Sequence, residues 1–128
     1  MTKQQSIDDY EQTESVFAKM TSDCIGSMKD NILAGEPFRI HSVEIFESEY
    51  EGKINENAIL EVSKGGLRTV KVYTGAKAIL SKLKALNKNG VSLMDDINDG
   101  FSPLVSLRKE KSKSGQFYNV LQSEVKTS

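Results

Sequence analysis

A chain of 128 residues, 38% apolar and 27% charged, is sized for one domain around one core. It has no run of apolar residues long enough to span a membrane and no basic start followed by an apolar stretch, so a cytoplasmic location is expected. The net charge of −1 conceals a division: residues 1–63 carry thirteen acids against five Lys or Arg, a balance of −8, and residues 64–128 carry twelve Lys or Arg against five acids, a balance of +7.

Residues 6–34 read as an amphipathic helix. Ile7, Tyr10, Phe17, Met20, Cys24, Met28 and Ile32 recur at helical steps, and Asp8, Asp9, Glu11, Glu14 and Asp23 occupy the other face. Ser6 serves as N-cap, Gly35 and Pro37 stop the helix, and Gly26 is a point at which it can break in two. Phe38 to Phe46 alternates apolar and polar residues, with a slip near Ser42 that predicts a β-bulge in a long strand. Polar sequence from Glu47 to Asn57 separates it from a second strand, Ala58 to Ser63. Lys64-Gly65-Gly66 predicts a turn, because adjacent glycines accept positive φ. A third strand follows from Leu67 to Tyr73.

Gly75 to Asn87 returns to helical period, with Thr74 as N-cap and Ala78, Ile79, Leu83 and Leu86 on one face. Val91 to Phe101 is a loop with room for a helical turn. Pro103 to Lys109 and Gln116 to Gln122 are the fourth and fifth strands, joined by an exposed turn at 110–115, and residues 123–128 form a flexible tail. Helix, three strands, helix, two strands is the order of a five-stranded OB-fold barrel behind an N-terminal helix; an α+β sheet with helices on one face shares it. The predicted fold class is therefore mostly β with helices, in a single domain.

Common catalytic chemistry lacks its residues. His41 is the only histidine and lies mid-strand with no nucleophile pattern near it, and Cys24 is the only cysteine, on the apolar helix face. Asp95, Asp96 and Asp99 lack the Gly and closing Glu of a calcium loop and are read as solvated. Neither an enzyme nor a cofactor or metal site is expected.

What is present is cation beside aromatic. Between Lys64 and Met94 there are seven basic residues and no acid. On the third strand Lys71 and Tyr73 share a face opposite Val70 and Val72, which are the core set. Lys64 and Arg68 flank the Gly-Gly turn. The last hairpin supplies Arg108, Lys109, Lys111 and Lys113, then Phe117 and Tyr118, of which strand alternation exposes one; Tyr118 is the one expected outside. A positive groove that follows phosphates, with flat rings on which bases stack, is what sequence-independent binding of single strands requires.

Residues 38–122 resemble the single-stranded DNA-binding proteins encoded by phages and plasmids. The likeness rests on the long strand Phe38 to Phe46, on Val70-Lys71-Val72-Tyr73-Thr74-Gly75 leading into a helix, and on Ser102 to Lys109 followed by Lys113-Ser114-Gly115-Gln116-Phe117-Tyr118. It implies an OB barrel that coats single-stranded DNA during replication or recombination, often as a homo-oligomer and beside replication or recombination proteins, in the cytoplasm of a bacterial host. The sequence departs from bacterial members in having no tryptophan and no acidic tail ending in an aromatic. The acidic helix at 6–34 has no counterpart in that pattern. It supports a competing reading, a protein-interaction module that docks a basic partner or a second copy. It also supports a moderating one, in which Asp8, Asp9, Glu11 and Glu14 compete with phosphate for lysines within a Debye length of roughly 8 Å.

Overall fold

The computed structural model describes residues 15–66 and 68–124. In chain order its elements are α1 (Val16–Met20), β1 (Gly26–Ser27), α2 (Met28–Asn31), β2 (Phe38–Tyr50), β3 (Lys53–Ser63), β4 (Val70–Thr74), α3 (Lys77–Lys84), α4 (Leu93–Asn98), β5 (Leu104–Lys111) and β6 (Phe117–Ser123). The strands form one mixed sheet in the order β1-β4-β3-β2-β5-β6, strongly curled into a half-barrel. All neighbours are antiparallel except β1 and β4, which run parallel with Ser27 beside Tyr73.

The long N-terminal helix is corrected. Its start, including Asp8, Asp9, Glu11 and Glu14, lies outside the described residues. From residue 15 onward the stretch divides into two short helices with a strand between them. Gly26 is the reason. Its φ of +151° is open to glycine and strained for other residues, and the chain there leaves helical geometry to pair with β4, Ile25 N–H donating to the Lys71 carbonyl at 2.9 Å. Ser15 and Ser27 cap the two helices, each hydroxyl accepting from a backbone N–H three residues on. The apolar stripe still has a destination: Met28 and Ile32 are fully buried in the chain's own core.

The slip near Ser42 is a β-bulge, where the register of β2 on β3 shifts between Ile40 and Ser42. It lets one strand serve two partners. Phe38 and Arg39 pair with β5, and β2 then bends away from it. Asn98 at the end of α4 takes over there: its side-chain amide accepts from Val43 N–H and donates to Val43 C=O, both at 2.8 Å. The backbone groups left by the departing strand are thereby satisfied. His41, at the bulge, bridges Ser63 and Ser102 and is part of this structural join.

The strands run further than their apolar patterns. β2 and β3 extend through the polar 47–57 segment to a tip at Glu51-Gly52, and β5 and β6 extend to a turn at Ser112–Gly115. Both are two-stranded ribbons that project past the core, where neither face must be apolar. β4 is shorter than expected and begins at Val70, after a connection in which Gly65 and Gly66 both hold positive φ. The helix after β4 is shorter too. Ala76 is its N-cap, Thr74 accepts from the Ala76 N–H, Leu80 is buried and Leu86 is exposed. Ser92 caps a true helix, α4, within the expected loop, placing Asp95 and Asp96 in its first turn. β6 runs through Ser123, and Glu124 N–H donates to the Leu104 carbonyl, so these two residues do not belong to the expected tail, the rest of which lies outside the described residues.

The core fills the inside of the curl. Phe38, Ile40 and Val43 of β2, Ala58, Leu60 and Val62 of β3, Val72, and Leu107 and Leu121 meet Ile79 and Leu83 of α3, Ile97 of α4, and Met28 and Ile32. A closed barrel would join β4 to β6. In the described residues these strands do not pair: β4 takes β1 on its outer edge, and α3 packs along β6. The expectation of a closed five-stranded barrel is thus corrected to six strands with an open seam. No helix of the described residues is long and apolar enough to cross a membrane.

Candidate nucleic-acid interface

Alternation along β4 sends Val72 into the core and Lys71 and Tyr73 to the outer face, as expected, with Lys71 exposed and Tyr73 half-buried. Tyr73 is covered by an element that sequence reasoning did not place there. Phe17 of α1 meets its ring edge to face with centroids 5.0 Å apart, and meets Phe46 of β2 at 6.2 Å. Phe46 and Ile59, both buried, lie beneath on the same outer face. These residues form a small aromatic cluster outside the barrel, with α1 lying over it. Yet no residue of α1 is itself buried, and Val16 is 54% exposed, so the helix is held mainly through one ring.

The basic residues divide into neutralised and free sets. Lys64 turns inward to the preceding segment, donating to the Asn31 carbonyl at 3.1 Å and lying 3.7 Å from Glu36. Lys71 sits directly across from Glu61, and Arg68, Lys71, Glu61 and Asp23 line one shallow depression of mixed charge. Arg108 pairs with Glu110, and Lys84 with Glu56. Lys109, Lys111 and Lys113 form no ion pair among the described residues, and Lys111 stands 6.0 Å from the centre of the Phe117 ring. Lys29, Lys53, Lys77, Lys82 and Lys88 likewise form none, so the β5–β6 hairpin is one of several places where lysines stand without an ion pair among the described residues.

Phe117 and Tyr118 do lie on opposite faces, but both are exposed, at 69% and 43%. The expectation that one is core is corrected, because the hairpin tip projects beyond the layer that would bury it. Phe117 shares the inner face with Lys109, Lys111 and Asn119, in line with Leu107 and Leu121; Tyr118 shares the outer face with Arg108 and Glu110. At the other end the β2–β3 tip carries exposed Tyr50 and Ile54.

Two cavities lie between the β2–β3 tip and the base of the β5–β6 hairpin. The larger, about 880 Å³, lies between the β2–β3 ribbon and α3 and includes Tyr50, Asn55, Lys77 and Lys84. The smaller, about 290 Å³, occupies the open seam and reaches from Tyr73 to Asn119 on β6. Phe17, Asn57 and Gly75 line both, so the two lie side by side, from the β2–β3 tip to Asn119 at the base of the β5–β6 hairpin. Gly75 allows the close approach there, since a Cβ would stand 3.0 Å from Asn57 Oδ1. Asn57 is itself buried and donates to Ser48 at 3.0 Å.

Of the predicted site residues Tyr73 alone lines these cavities; Lys64, Arg68, Lys71 and the basic and aromatic residues of the β5–β6 hairpin lie outside them. Sequence reasoning missed Phe17, Tyr50, Asn57, Lys77 and Asn119. Phe17 belonged to the stripe and Lys77 to the basic run, but Asn57 and Asn119 carried no local signal. Cys24, near Lys71, has its thiol pushed above the usual range by burial, with Asp23 adding to the rise and Lys71 opposing it. No cluster of side chains suited to a metal ion occurs among the described residues.

No family model, curated protein or solved structure matches the chain.

Proposed function

We propose that the chain binds single-stranded DNA with little sequence preference, on an OB-type half-barrel, and coats such strands in replication or recombination. The observation that carries this reading is the pair of adjacent cavities beside Tyr73, flanked by exposed Tyr50 on the β2–β3 tip and, beyond Asn119, by exposed Phe117 and lysines without an ion pair among the described residues on the β5–β6 tip. Five long strands ordered β4-β3-β2-β5-β6, with α3 between the third and the fourth, support the OB assignment. In that fold the face of the second and third strands and the two flanking hairpins hold an oligonucleotide. Here these are the β3–β4 face, the β2–β3 tip and the β5–β6 tip. Rings supply sequence-tolerant stacking and lysines supply phosphate contacts.

Photo-crosslinking of oligo-dT followed by mass spectrometry tests where the strand lies. Adducts are expected at Tyr73, Phe117 or Tyr118, and at Tyr50. Adducts confined to Phe101, an exposed ring that lines neither cavity, would remove the proposed face.

A further inference from the structure

We propose that the seam cavity between β4 and β6 takes one nucleobase of a bound single strand, turned out of the strand and inserted beside Tyr73. The inference rests on the reading of the chain as a single-strand binder and adds to it a defined base subsite. The cavity exists because the sheet does not close: β1 occupies the edge of β4 that would otherwise meet β6.

Its chemistry is graded as a nucleobase requires. Tyr73 and Phe17 supply flat aromatic surface, and Met28 and Ile79, both nearly inaccessible, supply an apolar floor. Across the slot stands Asn119, whose side-chain amide makes no hydrogen bond among the described residues. An amide offers a donor and an acceptor together, the pairing that reads the polar edge of a base. Lys29, exposed on the lining and without an ion pair among the described residues, is placed to meet the phosphate of the inserted nucleotide. At about 290 Å³ the space suits one ring system rather than a longer ligand, since pockets for drug-sized molecules begin near 300 Å³. The cavity shares Phe17, Asn57 and Gly75 with the larger one beside it, so a base inserted here can stay joined to a strand lying along the larger cavity.

The test uses oligo-dT with one central 2-aminopurine, whose emission falls on stacking, and a terminal dye that reports affinity by anisotropy. The parent is expected to quench the 2-aminopurine at saturation. Asn119→Leu, which keeps the volume and removes the amide, is expected to lose most of that quenching and about tenfold in affinity, the size of one lost base contact. Lys29→Gln, a surface change that leaves the core untouched, is expected to weaken binding and flatten its salt dependence. Binding at parent affinity with undiminished quenching in Asn119→Leu would overturn the subsite while leaving single-strand binding intact. Equal quenching of free 2-aminopurine nucleotide would overturn the assignment to a strand. No anisotropy change for any oligonucleotide would overturn both readings.

Discussion

Tyr73 has strands on both sides, Ile59 across one edge and Ser27 across the other, while its ring receives Phe17. A ring fixed in this way costs little further entropy when a base stacks on it. Replacing it with leucine keeps the apolar contact to Phe17 and removes the stacking surface. Tyr73→Leu is therefore expected to weaken oligo-dT binding by about 1–3 kcal/mol, with the melting temperature shifted little. A large fall in melting temperature with unchanged affinity would make Tyr73 a packing residue alone. The outward direction of Lys71 and Tyr73 was legible, because period-two alternation is a local property of β4. The fate of Lys64 was not, because its counter-charge, Glu36, is brought to it by the folded chain; Arg108 and Glu110, two apart on one strand, carried a local signal that was not used. Phe117 and Tyr118 show the same limit as Lys64: alternation placed them on opposite faces, but only the end of the core layer decides that both are exposed.

Among elements, the 15–34 segment was the least legible. Phe17, Met20, Cys24, Met28 and Ile32 satisfy a helical period, but they reach three different places. Phe17 lies on the outer face, Cys24 is half-buried near Lys71, and Met28 and Ile32 are in the core. Gly26 makes this division possible. An alanine there would be strained at φ +151°, and its Cβ would stand 2.7 Å from Asn31 Nδ2, which already donates to the Ser27 carbonyl. Gly26→Ala should destabilise the protein by about 1–3 kcal/mol, measured by chemical denaturation. Equal stability would mean that β1 is not a fixed part of the sheet. The polar 47–57 segment was legible as polar and not as strand, because its buried positions, Ser48 and Asn57, are themselves polar and leave no apolar alternation to read. The bulge near Ser42 and the helix after β4 were legible, since each leaves a local mark in the apolar pattern.

At the scale of the whole molecule, the order of the five main strands with a helix after the third could be read from the sequence, whereas β1, α4 and the openness of the sheet could not. That order follows from segment lengths, but whether β4 meets β6 depends on β1, a two-residue strand far from β6 in sequence. The charge division also acquires a more specific meaning in three dimensions. Within the basic 64–88 run Lys64 and Lys84 pair with Glu36 and Glu56 and Lys71 faces Glu61, whereas Lys77, Lys82 and Lys88 form no ion pair among the described residues; Lys109, Lys111 and Lys113 add a second such group on the β5–β6 hairpin. The most direct measurement of single-strand binding is anisotropy of oligo-dT and of a duplex of equal length across a salt series, with the parent and a Lys109→Ala, Lys111→Ala, Lys113→Ala variant side by side. The parent should prefer the single strand, and its affinity should fall with salt at roughly 0.7 log units per log of salt for each phosphate contact. The variant should bind more weakly, with the slope reduced by about two such units. Equal affinity for duplex and single strand, or an unchanged slope in the variant, would contradict the account.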